Sequence, residues 1–210
     1  MTPPASRRWR RRADARPEEI LDAALEEFTE KGFDAARMED IAARAGLSKA
    51  GVYLYFESKD ALLKALIEAK IAPIAADAAA LARAGEADPV GTLRLMAHGL
   101  IVRVANPKVF AIPRLVFGLS ARFPEFAHHY RTRVVEVALG ALETLIESAI
   151  AHGHFRAVPA RAAARAFIGP FLVEALWAHA LGGESLLAAP ERLIEEHLDV
   201  LLQGLAKTPR

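Results

Sequence analysis

Two short segments of helical character, Met38 to Ala45 and Lys49 to Tyr55, are separated only by Gly46-Leu47-Ser48. Gly46 has no Cβ and takes positive φ freely, and Ser48 offers a hydroxyl to the free N–H groups of a following helix. So short a break forces a tight turn, and short helix, tight turn, short helix is a helix-turn-helix arrangement. Upstream, a helix is expected to start at Pro17, a good first-turn residue, to bury Ile20, Leu21, Ala24, Leu25 and Phe28, and to stop at Gly32, with Phe33 packing back as an anchor. Downstream, Ser58 is set to cap a fourth helix with Asp60 in its first turn, running through Ala61, Leu62, Ala65, Leu66 and Ala69 and kinking at Pro73.

Helical period persists through the rest of the 210 residues, with abundant Ala and Leu and no Asn-Gly or Asp-Gly hairpin signal, so the expected fold class is all-α. Beyond Gly85, breaks at Asp88-Pro89, Asn106-Pro107, Phe123-Pro124, His152-Gly153, Val158-Pro159, Gly182-Gly183 and Pro190 delimit about five more helices. The longest is expected over 124–151. Hydrophobic residues make up 53% of the chain, enough for a real core, but charge or proline interrupts every apolar run before it reaches membrane-spanning length. The absence of Cys excludes disulfides, thiolate zinc sites and thiol nucleophiles, which fits a reducing, cytoplasmic setting.

The net charge is +1, yet it is strongly segregated. Residues 1–16 set Arg7, Arg8, Arg10, Arg11, Arg12 and Arg16 against Asp14 alone, whereas Glu18, Glu19, Asp22, Glu26, Glu27 and Glu30 make the next stretch acidic, where the dipole of a helix starting at Pro17 would favour them.

The stretch 32–62 carries Gly32-Phe33, Ile41-Ala42, Ala45-Gly46-Leu47-Ser48, Tyr53, Phe56, Lys59 and Leu62 at fixed offsets, and in this it resembles the N-terminal domain of TetR-family transcription regulators. The resemblance is strong over 14–74 and holds only in outline beyond. It implies a basic arm over 1–16, a three-helix DNA-binding domain over 14–74 with its helix-turn-helix at 37–56, and a larger helical ligand-binding and dimerisation domain over 75–210. The implied function is a bacterial repressor released from a palindromic operator by a small, largely apolar effector. The alternatives are a regulator of the same fold acting without an effector or as an activator, and more distantly a helical enzyme or carrier.

With Ile41, Ala42, Ala45, Leu47, Val52 and Phe56 on the inner face, the groups left to meet DNA are Arg37, Ser48, Lys49, Ala50, Gly51, Tyr53, Leu54 and Tyr55. Lys49 suits a guanine edge or a phosphate, the tyrosine hydroxyls suit phosphates, with Tyr53 alternatively a packing residue whose hydroxyl reaches the surface, and Leu54 suits a thymine methyl. Lys59 matches the family's phosphate clamp, or is merely solvated. Arg7, Arg8, Arg10, Arg11 and Arg12 suit phosphates or an adjacent minor groove, or form a solvated tail. The chain departs from the family at Arg37, where Thr or Ser would cap the next helix for about 1 kcal/mol, and at Ala50-Gly51, where a hydroxyl is usual.

In the body, candidate effector contacts are Met96, His98, Arg103, Phe110, Leu115, Phe117, Phe126, Tyr130, Glu174 and Trp177, each also a plausible core residue. Glu174 either anchors a ligand or pairs with Arg103 or Arg114. The resemblance places the homodimer interface on the last two helices, where Phe167, Phe171, Leu193, Leu198, Leu201 and Leu202 supply apolar stripes, the alternative being that these stripes form an ordinary intramolecular core. Adjacent His128-His129 and the pair His152, His154 do not complete a metal site. No phosphate loop, nucleophile elbow or other catalytic pattern is visible, so neither enzyme activity nor a cofactor is expected.

Overall fold

The computed structural model describes residues 5–205, with side chains from residue 16 onward. Among these residues there are helices and turns and no strand, and no helix is long and apolar enough to cross a membrane.

The chain forms two compact units. The first comprises the residues up to Ala69 together with Ala111–Ala127. Its helices are α1 (Ala5–Lys31), α2 (Met38–Arg44), α3 (Lys49–Tyr53) and α4 (Lys59–Leu66). α1 starts twelve residues before the expected Pro17, which lies inside it. Arg and Ala are strong helix formers and carry the helix across the one hydrogen bond that proline's missing N–H removes. The acidic residues after Pro17 are therefore mid-helix, and the dipole argument for them fails. The arm arginines Arg7, Arg8, Arg10, Arg11 and Arg12 fall on this helix, their side chains outside the described residues.

The expected inner residues of α1 are buried, Ile20 and Ala24 completely. Gly32 ends the helix at φ +80° and Gly46 turns α2 into α3 at φ +67°, backbone angles that favour glycine.

A π-helical turn, Ile67–Ile71, follows α4, and α5 (Ala72–Ala84) begins with Pro73 in its first turn. The proline thus opens a new helix after a widened turn, where a kink in one continuous helix was expected. The second unit holds Lys70–Phe110 and His128–Arg210. In chain order α6 is Pro89–Val104, α7 Pro107–Leu119, α8 Pro124–Tyr130, α9 Glu136–Ala151, α10 Ala160–Leu176 and α11 Pro190–Leu205. The expected long helix over 124–151 is interrupted by a π-helical turn, Arg131–Val135. There the Thr132 hydroxyl lies 3.0 and 3.1 Å from the carbonyl oxygens of His128 and His129, competing with the backbone ladder.

The core of the second unit joins Leu93, Ala97 and Ile101 of α6, Leu142, Leu145 and Ile146 of α9, Phe167 and Phe171 of α10, and Leu193, Ile194 and Leu198 of α11. Four of the six residues expected at the dimer interface belong to this core. Phe167, Phe171, Leu193 and Leu198 are all buried within one chain, while Leu201 and Leu202 are only partly buried against the same core.

Candidate nucleic-acid interface

α3 is positioned from below by Val52, which is completely buried with Ile41 and Ala42 of α2. Its first turn is closed by the Ser48 hydroxyl, which accepts from the Gly51 N–H at 3.1 Å. A Cβ on Gly51 would stand 3.3 Å from that hydroxyl oxygen, so the small residue leaves the cap undisturbed. The outward face carries Ser48, Lys49, Ala50, Tyr53, Leu54 and Tyr55, all exposed, with Leu54 exposed over 84% of its surface and Gly51 half-buried. α3 is shorter than expected, ending at Tyr53, so Leu54 and Tyr55 project from the turn that follows it. The apolar exposure of Leu54 costs solvation unless it is covered.

Lys49 does not stand free. Its ammonium pairs with the Glu39 carboxylate of α2 and lies 5.8 Å from the Tyr53 ring. The Glu39 hydrogen bond raises the Lys49 pKa, and Lys49 in turn holds the Glu39 carboxyl below the usual carboxylate range. Arg37 precedes α2 in extended conformation and makes no side-chain cap, so the departure at this position does leave the helix uncapped.

Lys59 is tied into the fold. Its ammonium donates to the carbonyl oxygens of Phe33 at 2.6 Å and Asp34 at 3.0 Å. Two of its three N–H groups are spent on the α1–α2 turn, leaving one for a phosphate. The same turn is gripped by the segment Ala111–Ala127: Arg122 donates to Asp34 at 2.5 Å, and the Phe33 ring meets Phe123 and Phe126 edge-on at 5.8 and 5.5 Å. Phe28 completes the aromatic group at 5.1 Å from Phe33.

A second anchor joins α2 to α1. Arg44 bonds Glu27 at 2.9 Å, Glu26 at 3.2 Å and Glu30 at 2.9 Å, and Lys31 stands 2.9 Å from the buried Glu27 carboxylate. Three carboxylates around one guanidinium raise the Arg44 pKa further. The acidic spacing at 26, 27 and 30 was visible in the sequence, but Arg44 as its partner was not. Arg122 and Asp34 lie 88 residues apart and gave no local signal at all.

The candidate effector residues are divided between the two units. Leu115, Phe117 and Phe126 fall in the first unit, where Phe126 is fully buried in the aromatic group and so is core. In the second unit Met96 and Phe110 are buried, the latter 5.4 Å from the His179 ring. Arg103 bonds Asp77 at 2.7 Å and His98 stands 3.5 Å from Glu191. The Glu174 carboxylate accepts from the Ser185 hydroxyl at 2.8 Å and the Leu186 N–H at 3.0 Å, closing the short 3-10 turn Leu186–Ala188. Burial pushes the Tyr130 phenol up to about 12. Trp177 is half exposed and lies over Gly183, where a Cβ would strike the indole nitrogen.

Comparison with known proteins bears on the whole of this arrangement. Residues 20–66 match the family described as bacterial regulatory proteins, tetR family, and residues 91–204 match the AefR-like transcriptional repressor, C-terminal domain. The chain belongs to the TetR family. Among its curated TetR-family relatives, the transcriptional repressor NicS of Pseudomonas putida is 34% identical over 148 residues, 69% of this chain and 68% of NicS. Other curated relatives match over shorter stretches, and the chain spans only 26% to 33% of the length of three of them. The solved TetR transcription regulator of Haloarcula marismortui is similar with a TM-score of 0.73 and 22% identity, covering 89% of this chain and 98% of that one. The flavonoid-responsive regulator FrrA is similar with a TM-score of 0.65 and 28% identity, covering 93% of this chain and all of FrrA.

Proposed function

We propose that this TetR-family chain is a DNA-binding repressor that works in the cytoplasm as a homodimer, reads a palindromic operator through α3, and is released by a small, largely apolar effector. It acts as a regulator and not as an enzyme. The observation that carries the reading is the outward face of α3, where a cation, two phenols and a bare leucine surround a helix fixed by Val52 and the Ser48 cap. Such a face has groups for phosphates, base edges and a thymine methyl, and little else in the fold explains its exposed leucine. That NicS is a repressor and FrrA is flavonoid-responsive favours repression and response to a ligand.

A two-fold arrangement needs an apolar face outside the core, and α10 has one. Ala162, Ala166, Leu172, Val173 and Leu176 recur at helical spacing on its exposed side, continued by Trp177 in the π-helical turn that follows, with Val173 exposed over 60% of its surface. This face would stand in for Phe167, Phe171, Leu193 and Leu198, the four core residues among those first expected at the dimer interface. Two copies would set their α3 helices for half-sites about one DNA turn apart. The basic arm of α1 would add phosphate contacts.

Gel-shift titration against duplexes selected from the source genome tests the reading. Lys49→Ala with Tyr53→Ala should abolish binding while the melting temperature and dimer mass stay unchanged. Undiminished binding would overturn it.

A further inference from the structure

We propose that Glu39 is a specificity-determining residue acting through Lys49: its carboxylate serves as a resident counterion that suppresses binding to DNA of arbitrary sequence. This rests on α3 being the reading helix.

The two side chains sit on different helices, ten positions apart, on the exposed side of the helix-turn-helix, at 52% and 55% exposure. The packing of α2 does not require them, because Met38, Ile41 and Ala42 supply its buried face. An exposed ion pair adds little stability. On a DNA-facing surface a carboxylate is also costly, since phosphates repel it. As a first-turn residue of α2, Glu39 meets the positive end of that helix's dipole, which accounts for a carboxylate at the helix start but not for its pairing with the reading cation.

The reason lies in what the ammonium brings to each kind of contact. A free Lys that lands on a phosphate releases a condensed counterion, and this term drives binding to any sequence. Lys49 already carries its counterion in Glu39, so landing on a phosphate either breaks the pair or brings the Glu39 carboxylate against a second anion, with no condensed counterion released to offset it. A guanine edge presents two acceptors in fixed positions. The ammonium has three N–H groups, so it serves that edge while keeping one on Glu39. The Tyr53 ring beside it limits where the ammonium swings. Glu39 thus penalises phosphate contacts more than base contacts, and specificity is that difference.

The test compares wild type, Glu39→Gln, Lys49→Met and the double variant on two duplexes, one that the wild type selects from a random-sequence pool and a scrambled duplex of equal length, across a salt series. Glu39→Gln should tighten the scrambled duplex about fivefold near 0.1 M salt and steepen its log–log salt slope by about 0.9 per subunit. The selected duplex should gain less, so the specificity ratio falls. In the Lys49→Met background the effect of Glu39→Gln should shrink to near nothing. Equal tightening of both duplexes, a gain that persists in the Lys49→Met background, unchanged slopes or weakened binding would each overturn the proposal. A wild type that selects no sequence would instead defeat the DNA-reading assignment itself, and this inference with it.

Discussion

The Lys59 ammonium donates to the Phe33 carbonyl oxygen at 2.6 Å and also stands 5.0 Å from the centre of the Phe33 ring. One side chain thereby holds both the backbone and the aromatic group of the α1–α2 turn. Lys59→Met should lower stability by about 1–2 kcal/mol, the scale of charge-assisted hydrogen bonds to carbonyls. Urea unfolding should show a lower midpoint at an unchanged slope. A side chain serving chiefly as a phosphate clamp would leave the midpoint where it is and flatten the salt dependence of DNA binding.

Arg37 leaves α2 without a side-chain cap in an extended conformation that suits one. Arg37→Thr should place a hydroxyl near the free N–H groups of the first turn and raise stability by about 1 kcal/mol. Thermal unfolding measures the gain. If Arg37 also meets a phosphate, the same variant binds DNA with a shallower salt slope.

Exposed and buried residues of the last two helices should separate cleanly. Val173→Glu puts a charge on the exposed face of α10 and should give a folded monomer by light scattering. Leu193→Ala removes a core side chain and should cost about 2–5 kcal/mol, with the subunit number unchanged as long as the protein is folded. A Leu193 variant that is fully stable and monomeric would restore the interface first expected from the sequence.

His197 lies against Phe171 at 5.1 Å, and its Nε2 stands 3.0 Å from the Phe167 carbonyl oxygen. Burial lowers its pKa, opposed by that hydrogen bond. With the folded value below the unfolded value of about 6.5, the native state binds this proton less readily than the unfolded chain does. The contribution to stability is therefore complete above about pH 6.5 and is lost as pH falls through the lowered folded value. Melting temperatures taken from pH 8 down to 5 should fall more for the wild type than for His197→Gln.

The helix-turn-helix was legible because its signals are local: a glycine at φ +67°, a serine three residues before the N–H it caps, and an apolar period that buries Ile41 and Val52. The sides of α10 were not. Ala, Leu, Val and Phe occur nearly all round that helix, so periodicity showed an apolar helix without telling which stripe faces its own core. Phe167 and Phe171 look as well suited to a partner as Val173 and Trp177 do. Long-range polar pairs were equally hidden, since Arg103 could have met any carboxylate and found Asp77, while Glu174 turned to a serine hydroxyl and an amide eleven and twelve residues on. Lys49 was read correctly as exposed, but its pairing with Glu39 depends on how α2 and α3 cross.

The aromatic group around Phe33 draws Phe123 and Phe126 from far along the chain into the unit that carries α3. Recombination between relatives at a single breakpoint near residue 70 would therefore separate pieces of one hydrophobic cluster. A chimera that grafts this operator preference onto another effector body should fold well only when 111–127 travels with the N-terminal segment, so the exchangeable unit of inheritance is discontinuous in the gene.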